Sequence, residues 1–286
     1  MLLPKPFLRL RLFTYGNCMN PNLAWHNFPR STGYNPDWLM AGVSGGANPL
    51  LLTEWLSQAL DLQAGMRVLD LGCGRALSSI FLAREFGVQV WAADLWFDAS
   101  ENLMRVRDAG LDGQVFPLHM EARNLPFAAE FFDVIVACDS FPYFGTDDLY
   151  LAYVTRFLKP GGQLGIVGSG LAQEPVGTEA PEHLRSWWEP EAWMLHSVGW
   201  WRRHWEKTGI VDIETADLMP DGWRFWLDWI RTVAPENKTE INALEDDQGS
   251  FLAYTRVIAR RKANAVLSAP VRSITTSYAK KGVQNR

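Results

Sequence analysis

The feature that most constrains this chain is a short apolar run that ends in two closely spaced glycines. Residues 66–71 predict a strand that contains the acid Asp70, and Gly72-Cys73-Gly74 predicts a tight turn. Residues 77–85 then carry apolar side chains at the spacing of a helix packed on a sheet. A strand, a glycine turn and a helix N-terminus let backbone approach a ligand with no Cβ in the way. The sequence therefore predicts a nucleotide-type binding turn at this point.

Two common fingerprints of such turns are absent. A dinucleotide-binding turn has a third glycine for close packing of helix and strand, but Leu77 stands three residues after Gly74. A phosphate-binding loop of the Walker type requires Gly-Lys-Ser or Gly-Lys-Thr, and neither tripeptide occurs in the 286 residues. The acid on the strand, Asp70, is left as the distinguishing residue of the turn.

Four further segments follow the glycine turn in a regular order. They are a second predicted strand, 88–93, that ends in Asp94; a third, 115–120, that runs into Glu121-Ala122-Arg123-Asn124-Leu125-Pro126-Phe127; a fourth, 132–137; and Leu158-Lys159-Pro160-Gly161-Gly162 before a fifth strand, 163–167. Together with the turn, these segments resemble the class I S-adenosylmethionine-dependent methyltransferases, of the bacterial type that acts on small molecules.

The resemblance implies that the cofactor is S-adenosyl-L-methionine, whose sulfonium and ammonium groups are cationic and therefore tolerate an acid where a phosphate would not. It implies that Asp94 accepts hydrogen bonds from the ribose hydroxyls. Glu121 replaces the family's usual Asp as the acceptor for the adenine amino group. The implied cofactor-binding residues are Asp70, Gly72, Cys73, Gly74, Asp94, Leu95, Glu121, Ala122, Arg123 and Asp139.

The alternation of strands and helices from 66 to 170 predicts an α/β fold with a parallel sheet and helices on both faces. Ligands of such sheets bind beyond the carboxyl ends of the strands, where all the segments above end. The resemblance adds an antiparallel edge, which makes a Rossmann-like seven-stranded sheet. The remaining predicted elements are helices at 37–41, 50–60, 77–86, 99–109, 147–157, 191–208 and 223–233, and strands at 211–218 and 249–260.

Composition divides the chain into three predicted regions. Residues 1–48 are expected to form an N-terminal lead-in and lid, and 49–262 the methyltransferase domain, with insertions at about 169–190 and 219–248. Nine of the 14 tryptophans fall between Trp187 and Trp229, which indicates an aromatic cap over the sheet. Residues 263–286 belong to a basic tail that we expect to be disordered, because eight Lys or Arg and no acid occur from Arg256 onward.

Candidate residues for the acceptor and for catalysis lie near the fourth strand and in the cap. Asp139 is interpreted as a general base, as a partner of the cofactor's ammonium group, or as a turn acid, and Tyr143 as a pocket wall or base. Tyr34, Trp188 and His196 are predicted to line the acceptor pocket. The tryptophans fit either a packed core or an aromatic pocket for an apolar, planar or cationic acceptor. In-line methyl transfer needs mainly orientation, so no catalytic triad is expected.

The sequence therefore predicts a methyltransferase that acts on a small-molecule acceptor, with the accepting atom left open. Two alternatives are a cyclopropane-synthase-like enzyme that methylates a lipid alkene and a non-catalytic module that binds S-adenosylmethionine. The lipid product would distinguish the first, and methyl turnover would exclude the second.

The net charge and the cysteine content limit the kinds of partner and compartment that we expect for this chain. The net charge of −5 argues against nucleic acid as a partner, and no apolar stretch approaches the roughly 18 residues of a membrane span. Three widely spaced cysteines and five histidines show no metal-ligand spacing, so we expect no metal. Reduced cysteines and the lack of a secretion signal predict a cytoplasmic protein, and the oligomeric state stays open.

Overall fold

The computed structural model describes residues 27–267. The predicted lead-in before residue 27, with Trp25 and Cys18, and the predicted tail from 268 onward lie outside the described residues. Within 27–267, one seven-stranded sheet has the order β3-β2-β1-β4-β5-β7-β6. Its strands are β1 (Arg67–Leu71), β2 (Gln89–Asp94), β3 (Val115–His119), β4 (Phe132–Cys138), β5 (Leu158–Leu171), β6 (Val211–Leu218) and β7 (Leu252–Arg261).

The first five strands are parallel, and β7 pairs antiparallel with both β5 and β6. The predicted Rossmann-like seven-stranded fold is therefore confirmed, including its antiparallel edge. Because β1 to β5 are parallel, their carboxyl ends share one edge of the sheet, and the order of crossovers reverses beside β1. The residues that the sequence marked at strand ends therefore come together at this edge.

Nine α-helices lie between residues 27 and 267. They are α1 (Pro36–Ala41), α2 (Pro49–Ser57), α3 (Leu77–Phe86), α4 (Ala99–Asp108), α5 (Pro142–Gly145), α6 (Tyr150–Val154), α7 (Val198–Glu206), α8 (Gly222–Val233) and α9 (Lys238–Asp247). None of these helices is long and apolar enough to cross a membrane.

Two helical predictions need correction, and two helices, α5 and α9, were not predicted. The single helix predicted at 147–157 is instead the short α6 and a 3-10 turn, Thr155–Phe157. The helix predicted at 191–208 is broken into a 3-10 turn, Pro190–Met194, and α7, because residues 195–197 run extended and Ser197 pairs with Leu171 at the end of β5.

The two faces of the sheet bury separate cores. Val68 and Val134 point to a core that also holds Trp226 and Trp229 of α8. On the other face, the neighbouring strand residues Leu69 and Ile135 share a core with Trp201 and Trp205 of α7. The tryptophan-rich region thus contributes to both faces of the sheet, as the pleat of the strands dictates.

Residues on both sides of the predicted domain, 49–262, pack on its cores. Phe28 and Leu39, from the region predicted as a lid, are buried in the core beside α2 and α3. Beyond the predicted boundary at 262, Ala265 and Leu267 still pack against the α7 core. Residues 27–48 and 263–267 are therefore continuous with the domain rather than separate from it.

Candidate functional site

The turn after β1 is fixed by the ends of its neighbouring strands. The backbone N–H groups of Gly72 and Cys73 both donate to the carbonyl oxygen of Ala93, at 2.8 and 3.1 Å. Gly72 has φ +71°, and a Cβ there would collide with the side chain of Ser140 at 2.4 Å. Ser140 in turn donates its hydroxyl to the carbonyl of Leu71 at 2.6 Å. The turn can therefore close only with glycine at position 72.

Asp70 lies beneath this turn and is fully buried. Its Oδ2 accepts hydrogen bonds from the hydroxyls of Ser78 and Ser79, each at 2.6 Å, which ties β1 to the first turn of α3. Its Oδ1 is buried without a hydrogen-bond partner within the described chain. Burial raises the pKa of Asp70 to about 6, although the hydrogen bonds from the two serine hydroxyls lower it in part. The carboxyl is therefore a structural acid with one unsatisfied acceptor, rather than an open ligand-binding group.

Asp94, at the end of β2, accepts three hydrogen bonds from the surrounding backbone. Its Oδ2 accepts from the N–H of Gly74 at 2.8 Å, and its Oδ1 accepts from the N–H groups of Trp96 and Phe97 at 2.7 and 3.0 Å. Two large apolar side chains follow it, yet Leu95 is 51% and Trp96 70% exposed. An anchored acid beside an exposed apolar surface suits a ligand with both hydroxyl groups and a flat ring.

The segment after β3 is linked to the segment after β4. Arg123 pairs with Glu121 at 3.1 Å and donates its other terminal nitrogen to the carbonyl of Tyr143 at 3.0 Å. The carbonyl of Ala122 accepts from the hydroxyl of Tyr150 at 3.0 Å. The edge of Trp96 also meets the ring of Tyr143 at a centroid distance of 5.5 Å. The predicted cofactor residues on β1, β2 and β3 therefore face the start of α5.

Asp139 connects this edge to the loop of residues 44–47. Its Oδ2 accepts from the N–H of Ala47 at 2.8 Å, and its Oδ1 accepts from the N–H of Ser169 at 2.9 Å. The same loop is held from the other side, where the indole N–H of Trp229 donates to the carbonyl of Gly46 at 2.9 Å. Because a Cβ at Gly46 would lie 2.3 Å from Asp139 Oδ2, glycine is required there as well. Asp139 also has φ +53°, a strained value for a residue with a side chain.

A cavity of about 430 Å³ opens beside Asp139. Its lining residues come from the loop 44–47, α5, β5, the turn at 187–195, α8 and α9: Gly46, Asp139, Pro142, Tyr143, Ser169, Trp187, Glu189, Glu191, Ala192, Met194, Leu195, Trp226, Asn237, Thr239 and Glu240. Burial, together with the carboxylates of Asp139 and Glu191, raises the pKa of Tyr143. Its phenol therefore stays protonated at neutral pH and is a poor general base.

The three residues predicted to line the acceptor pocket do not line this cavity. Tyr34 packs between Trp38 and Phe81 and donates its hydroxyl to Glu85 at 3.0 Å, near the far end of α3. Trp188 packs on Trp193 with ring centroids 5.3 Å apart. His196 stacks on Trp200 at 3.6 Å, and its Nδ1 lies 3.2 Å from Glu174.

The residues that do line the cavity are often their neighbours in the sequence. Trp187 lines the cavity whereas Trp188 does not, and Trp187 contacts Trp226 of α8 at a centroid distance of 6.2 Å. Leu195 lines it whereas His196 does not, because neighbouring side chains of an extended segment point to opposite sides. Trp226 was predicted only as one of the cap tryptophans that fit either a core or an aromatic pocket, and Glu240 was not singled out. The acids that flank Pro190, Glu189 and Glu191, were the one local sign that this turn is not plain core.

Comparisons with known proteins find methyltransferases. Residues 68–162 match the family model of a methyltransferase domain. A methyltransferase GfsG from Streptomyces halstedii is 37% identical over 116 residues, which cover 40% of this chain and 42% of that protein. The 27-O-demethylrifamycin SV methyltransferase of Amycolatopsis mediterranei (strain S699) is 31% identical over 133 residues, covering 45% of this chain and 48% of that protein.

A solved structure shares the fold over a longer stretch. The geranyl diphosphate C-methyltransferase of Streptomyces coelicolor A3(2) superposes with a TM-score of 0.61 and 24% identity, covering 73% of this chain and 76% of that chain. The present chain spans less than half the length of the two curated relatives above. The matched family model spans the glycine turn and the ends of β1 to β4, whereas the walls of the cavity lie mostly outside it.

Proposed function

We propose that this chain is a class I S-adenosylmethionine-dependent methyltransferase, an enzyme that transfers a methyl group to a small-molecule acceptor bound in the cavity beside Asp139. The observation that carries the proposal is the position of the cavity. It opens at Asp139 and Tyr143, the two residues that also border the cofactor-binding edge. A molecule in the cavity would therefore lie next to a cofactor bound at that edge.

The residues at the edge fit S-adenosyl-L-methionine. The two oxygens of Asp94 are anchored by backbone N–H groups and keep lone pairs for ribose hydroxyls, while Leu95 and Trp96 offer exposed apolar surface for an adenine ring. The buried, unpartnered Oδ1 of Asp70 contributes negative potential beneath the turn, which suits a cationic ligand. Glu121, Ala122 and Arg123 border the same space and remain proposed contacts of the adenine. When bound, the cofactor supplies an electrophilic methyl group whose leaving group is a neutral thioether.

The chain's own contribution is orientation and exclusion of water. Holding two reactants in line can lower a barrier by roughly 7–11 kcal/mol. We propose that Asp139 is a positioning residue, because each of its carboxylate oxygens already accepts a backbone N–H. Tyr143 forms a wall between the cofactor edge and the cavity. The loop 44–47 and the turn at 187–195 cover the acceptor.

We further propose a cytoplasmic setting and no nucleic-acid partner. The thiols of Cys73 and Cys138 are both free, which suits a reducing compartment. The acidic net charge of −5 disfavours binding to a polyanion.

Calorimetric titration with S-adenosylmethionine and S-adenosylhomocysteine tests the proposal. Asp94→Ala removes a charged acceptor and should weaken binding by about 1.5–3 kcal/mol, roughly 10- to 100-fold. Asp112→Ala, an exposed acid away from the edge, is the matched control and should bind both ligands like the wild type.

Turnover distinguishes the alternatives. Release of S-adenosylhomocysteine in the presence of small-molecule acceptors is expected, whereas a cyclopropanated or methylated lipid would establish the alkene-modifying activity. Binding without turnover on any acceptor would leave a non-catalytic module. Binding of a dinucleotide in place of S-adenosylmethionine would overturn the proposal entirely.

A further inference from the structure

The cavity beside Asp139 has an unusual set of walls. Four of its lining residues are carboxylic acids, three are aromatic, and no lysine, arginine or histidine lines it. The acids are Asp139, Glu189, Glu191 and Glu240, and the aromatic residues are Tyr143, Trp187 and Trp226. Carboxylates and aromatic faces both attract a positive charge.

Within residues 27–267, none of these four acids forms an ion pair with a cationic side chain. The hydrogen bonds of Glu240 come from neutral groups, the indole N–H of Trp226 at 2.8 Å and the side-chain amide of Asn237 at 2.7 Å. Burial raises the pKa of Glu240, and the carboxylate of Asp139 raises it further. Several negative charges that face one cavity with no compensating cation repel one another, and a bound cation would relieve that repulsion.

A second observation comes from behind the cavity wall. Tyr254 is fully buried, and its hydroxyl has no hydrogen-bond partner within the described chain. Its ring stacks on Trp226 at a centroid distance of 5.5 Å and an interplanar angle of 12°. Burial raises the pKa of this phenol, and the carboxylates of Asp139 and Glu240 add to the effect, which places the hydroxyl in the field of the acidic walls. The stack fixes the orientation of Trp226, so one aromatic wall of the cavity is preorganised.

We propose that the methyl acceptor is a small molecule with a cationic amine or ammonium group, which Glu240, Glu191 and the ring of Trp226 bind in this cavity. The inference rests on the proposed function and names the substrate class of the same site. An anionic acceptor, such as a phosphate ester or a carboxylic acid, would meet four carboxylates and no compensating base.

The positive charge of the cofactor is a competing explanation for the acids. Asp139 borders the cofactor edge, so its charge serves either ligand. Glu240 lies on α9, and Glu191 lies on the turn Pro190–Met194, both remote in the chain from the glycine turn and from Asp94. Measuring acceptor binding with S-adenosylhomocysteine already bound separates the two roles.

The experiment compares three probes of one shape on the enzyme saturated with S-adenosylhomocysteine. Choline is the cation, 3,3-dimethyl-1-butanol its neutral counterpart and 3,3-dimethylbutanoate an anion of similar size. We expect choline to bind at least about tenfold more tightly than the neutral alcohol, and the anion to bind more weakly than either. Glu240→Gln and Glu191→Gln should each lower choline affinity by about three- to tenfold and leave the alcohol unchanged.

Asp246→Asn is the matched control, because it removes one negative charge from an exposed position on the same helix as Glu240. It should leave choline affinity unchanged. The affinity for S-adenosylhomocysteine and the melting temperature are measured for every variant, and Glu191→Gln keeps the test decisive if Glu240→Gln disturbs the fold. Equal binding of choline and the alcohol, or equal effects of Asp246→Asn and Glu191→Gln, would overturn the inference and leave the proposed methyl transfer intact. Failure to bind S-adenosylhomocysteine would count against the proposed function instead.

Discussion

The cofactor-binding edge and the acidic cavity lie side by side, but they are held together by contacts of very different range. At the edge, Asp94 accepts N–H groups from Gly74, 20 residues away, and from Trp96 and Phe97, which follow it directly. At the cavity, Asp139 accepts from Ala47, 92 residues away, and Trp229 donates to Gly46 across 183 residues. Two acids at equivalent strand ends thus have different structural roles. Asp94 closes a local turn, whereas Asp139 joins segments that are distant in the chain.

The two halves of the site should therefore be sensitive to different mutations. The edge depends mainly on hydrogen bonds between the turn after β1 and the adjacent end of β2, so its geometry should survive changes in α8 and α9. The cavity depends on side chains from α8, α9 and the loop 44–47 meeting correctly. Disturbing the tertiary packing should therefore disable the cavity before it disables the edge.

The largest loss of stability is expected for Trp229→Ala, which removes a long-range contact beside the cavity. Trp229 is 2% exposed and holds the carbonyl of Gly46. Removing a buried indole should lower the free energy of unfolding by about 3–5 kcal/mol. Urea unfolding measures this loss, and Trp193→Ala, which truncates a 43% exposed indole, should cost less than about 1 kcal/mol. Equal losses in the two variants would mean that α8 does not anchor the loop.

The next largest effect concerns the acid beneath the edge. Burial raises the pKa of Asp70 from 3.8 to about 6 in the folded chain. The folded state therefore holds this proton more tightly than the unfolded state, so the carboxyl's contribution to stability is greatest below pH 3.8 and is lost as the pH rises through 6.

Relative to Asp70→Asn, which keeps an acceptor for Ser78 and Ser79, the wild type should lose roughly 2–3 kcal/mol of unfolding free energy between about pH 4 and about pH 7. Unfolding of the ligand-free protein across this range gives the measurement. Asp112→Asn, at an exposed acid, should show no comparable pH-dependent difference from the wild type. A difference that stays constant with pH would show that folding does not raise the pKa of Asp70.

The smallest effect is expected for Asp139→Asn, at the junction of the two halves. The variant keeps one acceptor oxygen and turns an amide N–H₂ toward the second backbone N–H, which should cost about 1–2 kcal/mol locally. Hydrogen exchange at Ala47 should accelerate, while exchange at Gly74 and Trp96 should not change. Asp147→Asn alters an exposed turn acid that accepts one N–H, from Leu149, and should affect neither region. Faster exchange at Gly74 would show that the edge and the cavity open together.

What the sequence determined by itself is the local half of the protein. The strand β1, the turn at Gly72, the helix Leu77–Phe86 and the strand Val211–Leu218 follow from apolar periodicity and from glycine at positions that need positive φ. These signals act within a few residues, so they can be seen in the sequence without knowledge of the rest of the chain.

Only the tertiary structure decided which side chains line the cavity. Whether Trp187 or Trp188 faces it depends on how the loop that carries them packs against Trp226 of α8. Tyr34 instead packs on Phe81 and donates its hydroxyl to Glu85, both on α3. The meeting of Glu240 with Trp226, and of Asp139 with Ala47, joins segments that no local pattern relates. Packing energy is shared among many weak contacts between distant residues, and for that reason a residue's type and spacing predict its element but not its partner.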